Sequence, residues 1–140
     1  PVLVQKATDV WAAVGCQVLK MSPEHHDAAF AAVSHLPHLL AFAMMNSITG
    51  QTHGDDFLSL AGPGFRDFTR IAASDPKMWR DILVANREEL LDQSKIFQQT
   101  LQDLEKLISG GDGDALEKLI EQASETRANW RISSSQKQHK

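Results

Sequence analysis

Hydrophobic residues recur every three or four positions over most of this 140-residue chain, a spacing that is typical of helices packed on one side. The clearest case begins at Asp75-Pro76, where an acidic N-cap and a proline predict the start of a helix. A seven-residue apolar repeat follows and ends before two adjacent glycines, with Leu83, Leu90, Phe97 and Leu104 as its members. The repeat predicts one long helix that packs against at least one partner helix.

A second long helix is predicted to begin after Ser22. The serine hydroxyl, the proline that follows it and the acidic Glu24 together mark a helix N-terminus. The apolar residues beyond them cover most of the predicted helix surface, so this helix should be buried on most sides. Pro37 lies within it, and because proline lacks a backbone N–H we expect a kink beside His35 and His38.

The two ends of the chain have weaker patterns. Residues 5–14 have apolar and alanine positions at helical spacing, and Gly15 marks the end of a short helix. The β-compatible run at residues 16–21 is predicted to be a strand that pairs with sequence outside this chain, with Cys16 buried. A final helix should follow the two glycines, and the polar residues 132–140 are expected to be disordered.

The composition narrows the classes of protein to which the chain can belong. With 42% hydrophobic and 23% charged residues, it has enough apolar material for one folded domain. The formal net charge of -4 and the lack of a basic stripe argue against nucleic acid or an anionic membrane as a partner. The apolar stretches are interrupted before the roughly twenty residues that a membrane helix needs, and no signal peptide opens the chain. We therefore predict a cytoplasmic protein with no membrane partner.

Arg70 is the strongest candidate for a binding residue. A guanidinium can hold a carboxylate through two parallel hydrogen bonds, a geometry that lysine does not reproduce. Arg66 lies four residues earlier and should share its helix face. The alternative is a structural ion pair between Asp67 and Arg70 on one helix, and both interpretations stay open.

Two histidines and a tryptophan are further candidates. His35 and His38 are three residues apart, so they could bind a ligand or simply hydrogen-bond backbone freed by Pro37. Trp79 could be a core residue or could line a pocket or a subunit contact. As an alternative function, a free-standing helical metal-dependent hydrolase could use a set of five residues: His25, His26, Asp27, His35 and His38.

Four motifs, in order along the chain, resemble those of one enzyme family. They are SHLPH at 34–38, GFRDFTRIA at 64–72, DPKMW at 75–79 and NREELL at 86–91. Together they resemble the C-terminal helical dimerisation region of the prephenate dehydrogenases, a family that includes cyclohexadienyl and arogenate dehydrogenases. The resemblance extends over about residues 16–130. The chain begins at Pro1 rather than at a methionine and has no GxGxxG pattern, so we expect it to be part of a longer protein.

The resemblance implies an all-α fold with three segments. Residues 1–21 would be a short helix and a strand left over from a nucleotide-binding domain. Residues 22–131 would form a helical dimerisation and substrate-binding domain with long helices, and residues 132–140 a disordered tail. The expected partner is a second copy of the chain, bound through the long helices.

The resemblance also implies a reaction. The complete enzyme would carry out the oxidative decarboxylation of prephenate, or the matching oxidation of arogenate, with NAD or NADP as cofactor. The product of the first reaction is 4-hydroxyphenylpyruvate, the precursor of tyrosine. The catalytic histidine and the phosphate-binding glycines would lie in the nucleotide-binding domain, so this chain should hold no catalytic residue and no metal, and should be inactive alone.

Five residues are implied as the substrate site by their match to the family motifs. Arg70 would bind the substrate carboxylate, and His38 would lie near the polar end of the substrate. Trp79 would reach toward the pocket of the adjacent subunit, and Asp67 would join Arg70 in an ionic network that controls access. Gly64, in the glycine-rich turn before the Phe-Arg-Asp of the motif, is the fifth residue of the implied site. Where the family usually has three consecutive glycines, this chain has a proline in the middle, which removes one backbone N–H.

Overall fold

The structure is a computed structural model that describes residues 2–130, and every regular element in that range is helical. The α-helices are α1 (Val2–Ala13), α2 (Pro23–Phe30), α3 (Leu36–Thr49), α4 (Gly54–Ser59), α5 (Pro63–Thr69), α6 (Pro76–Ala85), α7 (Arg87–Gly110) and α8 (Gly113–Asn129). A π-helical turn (Ala31–His35) joins α2 to α3, and a 3-10 turn (Arg70–Ala72) follows α5. The predicted all-α class is confirmed.

The described chain divides into two compact units. One is the continuous segment Ser22–Thr100, and the other is formed by the residues before and after it. The candidate site lies entirely within Ser22–Thr100. The predicted boundaries of a nucleotide-binding remnant and a dimerisation domain stay predictions, and the tail predicted at 132–140 lies outside the described residues.

Side-chain caps set the starts of three helices. Ser22 caps α2, Asp75 caps α6 and Asp112 caps α8. In each case the side-chain oxygen accepts a hydrogen bond from the backbone N–H three residues later, over distances from 2.7 Å at Asp75 to 3.2 Å at Ser22. These bonds satisfy donors that the first helical turn leaves free, which confirms the predicted helix starts.

Two glycines end helices in the left-handed backbone conformation. Gly15 ends α1 with φ of 87°, and Gly111 ends α7 with φ of 68°. At each end the residue after the glycine donates its N–H to the carbonyl five residues earlier, at Trp11 and Leu107 respectively. This hydrogen-bond pattern is the Schellman motif, which an L side chain at the glycine position would strain.

The predicted kink near Pro37 takes the form of the π-helical turn. The turn occupies the five residues up to His35 and lets α2 and α3 continue as one helical run, Pro23–Thr49. By length and composition this 27-residue run could cross a membrane, so the expectation that every apolar stretch is too short is wrong here. Within the unit Ala31, Leu36 and Ala41 of this run are buried, but only 17% of its apolar window is, so the prediction that the helix is buried on most sides is wrong for the single chain.

The helix predicted from residue 76 to residue 110 is two helices. It is interrupted at Asn86, whose φ of -105° and ψ of 33° are not helical. Leu83 therefore lies in α6 and the buried Leu90 in α7, although the apolar repeat runs through both. The side chain of Asn86 hydrogen-bonds to the backbone of α2, a long-range contact that the periodicity of the chain does not reveal.

The strand predicted at residues 16–21 is not formed. These residues have no regular structure, and no strand occurs anywhere in the range 2–130. A β-strand needs a neighbour to bond its backbone groups, and the described residues offer none. Cys16, which was expected to be buried, is exposed.

Candidate functional site

A cavity of about 450 Å³ lies between α3 and the segment formed by α5 and the 3-10 turn. Its wall combines apolar side chains, two uncharged polar side chains and two guanidiniums. The lining residues are Phe42, Met45, Ala72 and Ala73, then Asn46 and Thr69, then Arg66 and Arg70. An apolar wall with a few convergent polar groups is the usual composition of a small-molecule site.

The two arginines face this cavity because they are four residues apart. Arg66 lies in α5 and Arg70 begins the 3-10 turn, so the helical spacing places both on one side. Arg70 is exposed, and within residues 2–130 no carboxylate lies within 4.0 Å of its guanidinium. Its charge is therefore free to meet an anionic ligand.

Asp67 does not form the predicted ion pair with Arg70. Its Oδ1 lies 3.2 Å from Nε of the neighbouring Arg66, and both side chains are more than 70% exposed. Arg70 is directed to the cavity, whereas Asp67 is not among the cavity residues. The direct ion pair does not form because the acid pairs with the neighbouring guanidinium of Arg66, and the role of Asp67 in an ionic network that controls access stays a prediction.

An aromatic layer lies between α3 and α6. Trp79 is only 8% exposed and stacks on His38, with ring centroids 3.5 Å apart and planes 20° from parallel. His35 meets Trp79 with its plane nearly perpendicular, at 6.2 Å. Trp79 is thus a core residue of its own chain, and its predicted contact with the pocket of an adjacent subunit stays a prediction.

Phe42 joins the aromatic layer to the cavity. It lines the cavity, and its ring also lies 6.3 Å from the rings of both His38 and Trp79. The two predicted site residues are therefore brought together, but they lie behind Phe42 rather than on the cavity wall. Phe42 was missed in the sequence, although its position four residues after His38 indicates a shared helix face.

The hydrogen bond of His38 determines which of its ring nitrogens carries the proton. Nδ1 lies 2.9 Å from the backbone carbonyl oxygen of Ser34. A carbonyl can only accept, so Nδ1 carries the proton and donates it. In the neutral ring Nε2 then has a free lone pair, which can accept a hydrogen bond from a hydroxyl group.

The hydrogen bond at Nδ1 of His35 runs in the opposite direction from that of His38, because Nδ1 of His35 accepts. Its Nδ1 lies 3.2 Å from Nδ2 of Asn86, a donor group. Burial lowers the pKa of His35 below its ordinary value of 6.5, the Asp27 carboxylate opposes this shift, and His26 and His38 reinforce it. His35 is therefore a neutral structural histidine near neutral pH.

The sequence of this chain matches a known family over most of its length. The family profile described as prephenate dehydrogenase, dimerization domain, matches residues 22–122. The chain belongs to the prephenate dehydrogenase family. Its described residues also superpose on solved members of that family, so the all-helical dimerisation region inferred from the four motifs is confirmed.

Individual relatives give the same result. The chain is 34% identical over 121 residues to cyclohexadienyl dehydrogenase of Zymomonas mobilis, covering 85% of this chain and 41% of the relative. It is 35% identical over 109 residues to prephenate dehydrogenase of Bacillus subtilis, and this match covers 74% of this chain and 28% of the relative. The chain thus spans less than half the length of these relatives.

Two solved structures are similar in fold. The prephenate dehydrogenase of A. aeolicus, in complex with hydroxyphenyl propionate and NAD+, matches with a TM-score of 0.85 and 38% identity, over 89% of this chain and 44% of that one. The arogenate dehydrogenase of Synechocystis matches with a TM-score of 0.82 and 28% identity, over 94% and 48%. Each match therefore covers most of this chain but less than half of the chain in the solved structure.

Gly64 is not among the residues that line the cavity. It is the second residue of α5 and is exposed, and an added Cβ would meet nothing within 4 Å. Pro63 occupies the first position of the same helix, where a backbone N–H has no helical partner in any case. The proline that replaces the usual family glycine therefore costs no helical hydrogen bond, and the role of Gly64 in binding stays a prediction.

The alternative of a metal-dependent hydrolase is not supported. Within residues 2–130 no group of three His, Cys, Asp or Glu side chains could hold a metal ion. His26 instead pairs with Asp27 at 2.9 Å and contacts the Phe30 ring with its plane tilted by 33°. The family to which the chain belongs consists of dehydrogenases, so the histidines at 25, 26, 35 and 38 need another explanation, which for His35 and His38 is the aromatic layer.

Proposed function

We propose that this chain is the dimerisation and substrate-binding part of a dehydrogenase that oxidises and decarboxylates prephenate or arogenate, in tyrosine biosynthesis in the cytoplasm. Family membership supports the reaction class. The observation that carries the site assignment is the guanidinium of Arg70, which lines an apolar cavity with no acidic partner among the described residues. A substrate with a carboxylate and a six-membered carbon ring needs this combination.

Arg70 supplies the fixed positive charge. Both substrates are carboxylates, and a bidentate guanidinium bond to a carboxylate contributes about 1.5 to 3 kcal/mol when water is partly excluded. Because no described acid competes for Arg70, the ligand does not have to displace an internal ion pair. Arg66 adds a second positive charge beside it, weakened by its bond to Asp67.

The apolar wall supplies the surface for the ring. Phe42 and Met45 lie in the same cavity as Arg70, and His38 stands one layer behind with Nε2 free to accept a hydrogen bond. The A. aeolicus relative was solved with hydroxyphenyl propionate, a molecule that also joins a six-membered ring to a carboxylate. The similarity of fold supports a ligand of the same chemical class here.

The hydride acceptor would be bound by other parts of the complete protein. The A. aeolicus relative was solved with NAD+, and this chain has no GxGxxG motif for the phosphates of NAD or NADP. When bound, the nicotinamide takes the hydride from the substrate. The described residues bind and orient the substrate, and none of them is proposed as the catalytic base.

A homodimer through the long helices completes the proposal. Large apolar side chains are exposed along α7 and α8, and monomeric proteins rarely leave such surfaces in water. The most exposed of them are Leu91, Ile96, Ile108 and Ile120, each at least 56% exposed. A second copy of the chain would cover this surface, in keeping with the family description as a dimerization domain.

The site is tested by replacing Arg70 in the complete enzyme. Arg70→Ala should raise the KM for prephenate by about 10- to 150-fold, the equivalent of the lost bidentate bond, and leave the KM for the nucleotide unchanged. Arg70→Lys should recover only part of the loss, because an ammonium cannot form the paired bonds.

Arg80→Ala is the matched control. Arg80 bonds to its neighbour Asp81 on the exposed face of α6 and does not line the cavity. This variant should keep both KM values. If Arg70→Ala leaves the KM for prephenate unchanged, the site assignment fails, whereas an equal loss of prephenate and nucleotide binding would indicate misfolding.

A further inference from the structure

Asn86 connects the break between α6 and α7 to two other parts of the unit. Its Nδ2 lies 2.8 Å from the backbone carbonyl oxygen of Asp27 in α2 and 3.2 Å from Nδ1 of His35 in the π-helical turn. Asp27 precedes Asn86 by 59 positions in the sequence, and His35 precedes it by 51. Asn86 is half-buried and was not among the residues predicted for the site.

Simple hydrogen-bond chemistry determines the direction of both bonds. The carbonyl of Asp27 can only accept, so the atom of Asn86 that faces it is the amide nitrogen rather than the oxygen. One hydrogen of that NH2 group serves Asp27, which leaves the other for His35. Nδ1 of His35 must then present a lone pair, and its proton is on Nε2.

The oriented His35 ring belongs to a continuous series of contacts that ends at the cavity. It meets Trp79 at 6.2 Å with the planes 79° apart. Trp79 in turn stacks on His38 at 3.5 Å and contacts Phe42, which lines the cavity beside Arg70. Turning or charging the His35 ring would therefore disturb the layer that supports the cavity wall.

We propose that Asn86 is a positioning residue of the substrate site, which holds His35 as the Nε2–H tautomer and so sets the place of Trp79, His38 and Phe42. The inference rests on the proposed function, since it gives Asn86 a part in substrate binding. Asn86 does not line the cavity itself, so its effect on the substrate passes through His35, while its bond to the Asp27 carbonyl holds its side chain in place.

The charged and titratable groups around His35 are few. Asp27 and His26 on α2 and His38 on α3 influence it, whereas the residue that faces it from α6 is the uncharged Trp79. Asp27 favours a positive charge on His35, and the NH2 group of Asn86 opposes it because a protonated Nδ1 cannot accept its bond. Replacing that NH2 group by an acceptor should therefore favour a proton on Nδ1 of His35.

The first measurement is the tautomer of His35 in the complete wild-type enzyme, by nitrogen-15 NMR of labelled histidine at about pH 7.5. The expected result is a protonated Nε2 and an unprotonated Nδ1. A ring protonated on Nδ1 would mean that the bond from Asn86 does not exist, and the proposal would be overturned without any variant.

The second measurement uses Asn86→Asp, which keeps the shape of the side chain and replaces the donor by an acceptor. We expect a proton to appear on Nδ1 of His35, and the KM for prephenate to rise by about 3- to 10-fold with the KM for the nucleotide unchanged. Asn86→Leu removes the donor without adding charge and should raise the KM for prephenate similarly. The control Asn129→Asp adds the same charge at an exposed position of α8 and should change neither.

The outcomes separate this inference from the proposed function. If Asn86→Asp changes the tautomer of His35 but leaves the KM for prephenate unaltered, Asn86 has no positioning role while the function stands. If the wild-type complete enzyme does not turn over prephenate or arogenate, the function itself fails and the inference falls with it.

Discussion

The two compact units differ in what their apolar residues contact. Within Ser22–Thr100 the buried hydrophobic residues form a core: Ala31, Leu36, Ala41, Trp79 and Leu90. Among the described residues on either side of that segment none is buried, and Leu3, Trp11 and Ile108 are 58 to 79% exposed. The first unit is stabilised by its own packing, whereas the second presents surface suited to contact with other protein. The candidate site lies in the unit that has its own core.

The largest effect should come from removing the central side chain of the packed unit. Trp79→Ala leaves a cavity between α3 and α6 and should lower the free energy of unfolding by about 3 to 5 kcal/mol. Scanning calorimetry of the complete protein measures the loss. Met78→Ala, at the 51% exposed neighbour in the same helix, should cost less than about 1 kcal/mol. Similar losses for the two variants would contradict the assignment of Trp79 to the core.

The next effect concerns the exposed apolar surface. Ile108→Glu places a charge in the apolar surface that the proposed dimer buries away from water. The dissociation constant of the dimer should therefore rise by about 100-fold or more. Sedimentation equilibrium of the complete protein measures this constant. Gln102→Glu adds the same charge on the same helix, away from the apolar repeat, and should leave the dimer intact. A dimer unaffected by Ile108→Glu would place the interface elsewhere.

A smaller loss of stability is expected at Gly54. An added Cβ there would lie 2.5 Å from the carbonyl oxygen of Ile48, too close for van der Waals contact with backbone that cannot easily move. Gly54→Ala should therefore lower the free energy of unfolding by about 1 to 3 kcal/mol in urea titrations. Gly113→Ala is the control, because its Cβ would meet nothing within 4 Å. If both changes are neutral, the turn before α4 is looser than the structure indicates.

The smallest effect is the pH dependence contributed by His35. Its pKa is lowered in the folded state, so the unfolded chain binds the proton first as the pH falls. The stabilising contribution is complete above about pH 6.5 and is lost as the pH falls through the folded-state pKa, with a slope of at most about 1.4 kcal/mol per pH unit. His35→Gln should flatten this part of the pH profile of unfolding free energy. An unchanged profile would contradict the lowered pKa.

Much of the helical framework could be predicted because its signals are local. The caps at Ser22 and Asp75 and the ends at Gly15 and Gly111 depend on residues within one turn, and all of them form as expected. The break at Asn86 could not be predicted, because it is tied to a backbone carbonyl 59 positions away. The strand at residues 16–21 failed for a related reason, since a β-compatible sequence forms a strand only when a neighbour pairs with it.

The candidate site shows the same division. The spacing of Arg66 and Arg70 was sufficient to place both guanidiniums on one face. Because a guanidinium can form two parallel hydrogen bonds, its chemistry indicated a carboxylate ligand. The partner of Asp67 was mispredicted, because helical spacing allows more than one ion pair and only the side-chain geometry chooses between them. Phe42 escaped notice because it carries no charge or titratable group, although it joins the cavity to the aromatic layer.

The sequence by itself determined the all-helical class, the helix ends, the family motifs and the cationic character of the site, because each of these depends on residues close together in the chain. Only the tertiary structure decided that His38 and Trp79 stack behind Phe42, that Arg70 has no acidic partner within residues 2–130, and that Asn86 orients His35. Those features depend on side chains from different helices, and their distances follow from packing that no local pattern of residues specifies.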